Sequence, residues 1–126
     1  MNNDTTSTSP SPIHIVHRDH LPPLRFRGTE IAATDNRGPD SNRWTRWTLY
    51  RTDAGRYVLS IRYRTQWQGE RSTAEGLHAD NRDELVRTIQ TYYWASDDSD
   101  NRGRVPEELS SMLSEALPDT YVLDLA

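Results

Sequence analysis

The side chains best suited to chemistry gather in residues 43–67, RWTRWTLYRTDAGRYVLSIRYRTQW. Read as two strands of period two, this stretch puts Trp44, Arg46, Tyr50, Arg62 and Arg64 on one face. Guanidinium forks hold carboxylates and phosphates through paired hydrogen bonds. Trp, Tyr and Arg also dominate the energetic centres of protein interfaces, so the five residues are the expected partner-binding anchors. The same set on a sheet can stack bases and hold phosphates, which makes nucleic acid the alternative partner. A purely structural use competes with both. Trp44 stacked on Arg64 would be a cross-strand cation–π pair worth about 0.5–1 kcal/mol when exposed. A helix over this face, with acids neutralising the Arg residues, would also leave no site.

Other clusters carry less. His14, His17 and His20 are three apart with Asp19 among them, and imidazoles with a carboxylate are fair zinc ligands. A strand sends His14 and His17 to opposite faces, so exposed histidines are expected. Residues 97–108 have the length of a calcium loop, with Asp97 first, Ser99 third, Asn101 fifth and Glu108 last. The sixth position is Arg102, where that loop needs glycine for its sharp turn. Starting at Asp98 makes Gly103 sixth but Leu109 twelfth. The stretch reads as a solvated acidic loop, whose Asp97, Asp98 and Asp100 could imitate phosphates and inhibit a nucleic-acid-binding enzyme, as a small mobile-element protein would. Asp35, Asp40, Glu70, Glu75 and His78 have no spacing that demands an acid–base site. No nucleophile elbow, phosphate-binding glycine loop or H-E-x-x-H occurs. The expectation is a non-enzyme with no catalytic residue, metal or cofactor.

The elements follow from pattern. Tyr57, Leu59, Ile61, Tyr63 and Trp67 alternate onto the apolar face. Asp53-Ala54-Gly55 forms the turn, with Gly55 free to take positive φ. Thr52 then pairs with Arg56, Leu49 with Leu59, Trp47 with Ile61, Arg46 with Arg62 and Trp44 with Arg64. A slip of one residue would mix the faces. Residues 13–20 suit a short strand that Leu21-Pro22-Pro23 breaks. Residues 24–34 make another, with Gly28 marking a bulge and Ile31 carrying the apolar side. Residues 71–79 are a weaker strand interrupted by Gly76.

The period changes at residues 80–95, where Leu85, Val86, Ile89, Tyr92 and Tyr93 recur at helical spacing. Asn81 is the N-cap, and Glu84 completes a capping-box-like pair. Pro106, in the first turn, opens a second helix with Leu109, Met112, Leu113, Ala116 and Leu117 as its stripe. Residues 121–126, YVLDLA, are an apolar edge strand or docked tail.

The chain has 126 residues, which fits one domain, and a net charge of −4. Only 33% of it is hydrophobic. Residues 1–12, rich in Ser and Thr, are expected to be a disordered tail, with one domain over residues 13–126. All fifteen basic residues are Arg, as a GC-rich genome would encode. Cysteine is absent, which excludes disulfides and thiolate chemistry. No apolar run nears the roughly 20 residues of a membrane helix, and no export signal is visible, so a cytoplasmic location is expected.

Three segments, RFRGTEIAATD, RWTRWTLYRTDAGRYVLSIRYRTQWQGE and VPEELSSMLSEALPDTYVLDLA, together resemble the EXLDI-type proteins, small proteins of actinobacteria. The shared features are a strand with an Arg-Gly pair, a Tyr-Arg-Thr hairpin turning at Gly, and a late helix before a short acidic-apolar terminus. The name pattern Glu-x-Leu-Asp-Ile is replaced here by Val122-Leu123-Asp124-Leu125. The resemblance implies a bacterial source and carries over no functional residue.

Strands first and helices after is the α+β order. The expected architecture is a twisted antiparallel meander of about four strands, with two C-terminal helices packed on one face. The expected function is a non-enzymatic adaptor or inhibitor that binds another protein through the Arg-and-aromatic face. No membrane association is expected.

Overall fold

The computed structural model describes residues 10–95 and 105–117. The acidic loop around Asp97, Asp98 and Asp100, most of the expected tail and the last apolar segment lie outside the described residues. The protein is α+β, built on one antiparallel sheet in the order β1-β2-β3-β4-β5. The strands are β1 (Ile13–Arg18), β2 (Leu21–Asp35), β3 (Arg43–Thr52), β4 (Tyr57–Thr65) and β5 (Thr73–Ala79). Two helices follow, α1 (Arg82–Trp94) and α2 (Glu107–Ala116).

The β3–β4 hairpin has the register expected from its parity. Leu49 pairs with Leu59, Trp47 with Ile61, Arg46 with Arg62 and Trp44 with Arg64. The Thr52 N–H donates to the Arg56 carbonyl at 2.9 Å, and the Gly55 N–H returns to the Thr52 carbonyl. Gly55 sits at φ +83°, a conformation that only glycine adopts without penalty. Trp67 departs from the expectation. The strand ends at Thr65, and Trp67 is 51% exposed, beneath the Arg43 guanidinium.

Five strands form where about four were expected, and the prolines do not end the first pairing. Leu24 pairs with Val16 and Leu21 with Arg18, so Pro22 and Pro23 lie opposite His17 alone. Proline is tolerated at such an irregularity, where no ladder hydrogen bond is lost. The bulge of β2 falls at Ile31 rather than Gly28, since Glu30 pairs with Tyr50 and Ala32 with Leu49. Ile31 is therefore turned out to solvent. Gly28 has another use: a Cβ there would stand 2.3 Å from the Arg51 carbonyl oxygen.

Nor does Gly76 interrupt β5. It lets β1 fold over the sheet, because a Cβ at position 76 would lie 2.9 Å from Val16 Cγ1 and 3.1 Å from Arg18 Cδ. The Asp19 N–H donates to the Ala74 carbonyl at 2.8 Å, and the Ala74 N–H donates to Asp19 Oδ2 at 3.2 Å. The first and last strands are joined there, and the sheet curls toward a barrel.

The opposite face of the sheet carries the core. Trp47, Leu49, Leu59 and Ile61 meet Leu85 and Ile89 of α1 and Leu109, Met112 and Leu113 of α2. Leu49 and Leu59 are wholly buried, each contributing about 1.5–3 kcal/mol by area. Of the strands, α1 lies nearest β5 and α2 nearest β2. Asn81 caps α1 by accepting from the Glu84 N–H at 2.9 Å, and Glu84 accepts from the Asp80 N–H. Pro106 stands at the cap of α2, just before its first turn. The Trp47 Nε1–H donates to the Tyr93 hydroxyl at 2.9 Å, which fastens α1 to β3. Burial pushes the Tyr93 phenol up to about 12.

Candidate functional site

Strand pairing decides what shares the curled face. Arg46 opposes Arg62 and Thr48 opposes Ser60 across β3 and β4. On the flanks, Glu30 opposes Tyr50, and Ala74 opposes Arg62. Where β1 folds over, Val16 closes the far wall. Together they enclose a cavity of about 300 Å³, lined by Arg46, Arg62, Arg64, Tyr50, Glu30 and Ser60 among others. The helices pack on the other face; on this one Arg46, Arg62 and Arg64 stay exposed while β1 folds over Ser60.

Of the five expected anchors, Arg46, Tyr50, Arg62 and Arg64 line this cleft. Trp44 is not brought into it. Its ring lies under Arg37, whose guanidinium carbon is 3.8 Å from the ring centroid, rather than in a stack with Arg64. Arg37 is in the β2–β3 connection, beyond the reach of a strand-register argument.

The charges are unevenly matched. Asp35 Oδ2 lies 3.5 Å from Arg46. Elsewhere Arg56 pairs with Asp80 at 2.6 Å, and Arg43 pairs with Glu70. Among the described residues, Arg62 and Arg64 have no carboxylate at ion-pair distance. Both are exposed. Tyr50 is held neutral: burial, then the Glu30 charge, pushes its phenol up, with Arg62 and Arg46 opposing. It is thus a hydroxyl donor on the cleft wall.

Next to the guanidiniums lies a ring cluster. His14 is 4.6 Å from Tyr50 and Phe26 is 5.2 Å from Tyr50, centroid to centroid. The His14 Nε2 donates to the Gly28 carbonyl at 3.0 Å. His14 is therefore half-buried in a stack, not an exposed histidine as expected, while His17 and His20 remain at the surface. Among the described residues, no three of His, Asp and Glu gather as a metal site. Nor do Asp35, Asp40, Glu70, Glu75 and His78 converge. Asp35 and Glu70 are engaged by Arg46 and Arg43, and Glu75 and His78 point to opposite faces of β5.

Ser60 is the residue that sequence reasoning passed over. It is 7% exposed, the one buried polar residue among those described, and it lines the cavity. The signal was a small hydroxyl at a strand position flanked by Leu59 and Ile61, directly opposite Thr48. Its burial depends on β1 folding across, which no local pattern shows.

Among the described residues, no helix is long and apolar enough to cross a membrane. No family model matches the chain, and neither a curated protein nor a solved structure matches it.

Proposed function

We propose that the chain is a non-enzymatic interaction module, an adaptor or inhibitor, that holds an acidic surface of another protein on the open face of its sheet. One observation supports this most. Arg62 and Arg64 stand side by side on β4 and line one cleft, and neither has a carboxylate partner among the described residues. An exposed guanidinium without a carboxylate is available to one brought from outside. The neighbouring Tyr50, Trp44 and Arg46 supply the aromatic and cationic residues that anchor interfaces. The net charge of −4 weighs most against a long, densely charged polyanion such as nucleic acid, which favours basic domains.

A pulldown with the wild-type chain and with Trp44→Ala combined with Arg62→Glu tests the reading. Partners held by the wild type are expected to be lost from the double variant. Equal capture by both removes this face from consideration. A salt-sensitive mobility shift with single-stranded DNA or RNA would instead identify a nucleic-acid-binding surface.

A further inference from the structure

A buried hydroxyl without a partner is an expensive arrangement. Removing a hydroxyl from water without a new hydrogen bond is unfavourable, and native interiors contain few such groups. Ser60 is 7% exposed, and its hydroxyl has no hydrogen-bond partner among the described residues. It opens into a cavity of about 300 Å³, the low end of the size of small-molecule sites. Thr48 lies opposite it in the β3–β4 ladder and lines the same cavity, as does the neutral Tyr50. The exposed guanidiniums of Arg62 and Arg64 stand further along the same strand and the same face. Hydroxyl donors at the floor and unpaired cations at the mouth converge on one kind of group.

We propose that this cavity is a site for a single oxyanion, a carboxylate or phosphate group, held by the Ser60 hydroxyl and the Arg62 and Arg64 guanidiniums. Thr48 and Tyr50 add hydroxyl donors around it. Glu30 lines the same cavity and is its one carboxylate. It repels a fully ionised dianion and accepts a hydrogen bond from an oxyanion that keeps a proton or carries a hydroxyl. The site therefore favours dihydrogen phosphate or a hydroxylated acid over a bare dianion. The inference rests on the partner-binding reading in naming the group that enters the cleft, and it extends to a free metabolite bearing that group.

The test is an NMR titration at low ionic strength, with inorganic phosphate in one arm and a blocked hexaglutamate peptide in the other. Saturable shifts at Thr48, Ser60 and Arg62 are expected in at least one arm, and the tighter arm identifies the source. Ser60→Ala is expected to weaken binding several-fold without lowering the thermal midpoint, since it removes an unsatisfied group. Arg62→Gln with Arg64→Gln should weaken it at least about tenfold, by loss of the charge-assisted bonds. Glu30→Gln should tighten binding of hexaglutamate, whose ionised carboxylates have no proton for Glu30 to accept. Shifts that stay linear in both arms overturn the proposal, as does saturable binding that Ser60→Ala leaves unchanged. Loss of the partner from the Trp44 and Arg62 variant with no saturable oxyanion would leave the interface standing and remove the cavity site. Saturation without any partner would do the reverse.

Discussion

Single residues set the charge balance of the rim. Glu70 accepts from the Arg43 guanidinium and from the Thr65 hydroxyl at 2.7 Å, and those hydrogen bonds hold its carboxyl down at about 2. A carboxyl depressed by folding stabilises the fold above its ordinary value of 4.5, and that contribution is lost as pH falls toward 2. The group is open to solvent, so screening keeps the effect modest. Urea midpoints measured at pH 5 and pH 2.5 are expected to fall further for the wild type than for Glu70→Gln. Equal falls would mean that this cluster does not couple to folding. The rim differs in kind from the cleft: Glu70 fixes Arg43, whereas Arg62 and Arg64 have no such carboxylate among the described residues.

At the scale of elements, local rules explain the hairpin and the helices but not the closure. Parity and Gly55 determined the β3–β4 register, and the Asn81 cap with its Glu84 partner marked the start of α1. Those signals act within a few residues of one another. Asn81→Ala removes the oxygen that satisfies the Glu84 N–H and is expected to cost about 1 kcal/mol, read from urea unfolding. The shared face of Arg46, Tyr50, Arg62 and Arg64 was legible for the same reason, since they have one parity. What stayed hidden depends on segments far apart in sequence. Pro22 and Pro23 look like strand breakers until their position opposite a single residue of β1 is known. Gly76 looks like a weak point until Val16 is placed against it. Trp44 looks like a partner for Arg64 until Arg37 is seen to cover it. Ser60 looks exposed until β1 crosses above it.

For the whole molecule, the decisive feature is that the sheet has two unlike faces. Helices and apolar side chains fill one, and the curl toward β1 makes a polar cleft of the other. Gly76→Val places methyl groups where Val16 and Arg18 already lie, an overpacking that costs about 1–3 kcal/mol. Hydrogen exchange should then accelerate at the amides of Asp19 and Ala74, while the amides of Leu49 and Leu59 keep their protection. Unchanged exchange at Asp19 would show that the curl does not depend on this contact.

The Asp19–Ala74 junction links positions 55 residues apart, whereas the other strand pairings join neighbours in the chain. Joining ends across that span costs about 3.5 kcal/mol of loop entropy beyond a constant, from the logarithm of its length. A group held between β4 and the folded-over β1 would act as a reversible clasp on that loop. It would favour the closed state by mass action in proportion to its occupancy. If an occupant of the cleft touches β1 as well as β4, the cleft and the closure of the chain on itself become one equilibrium.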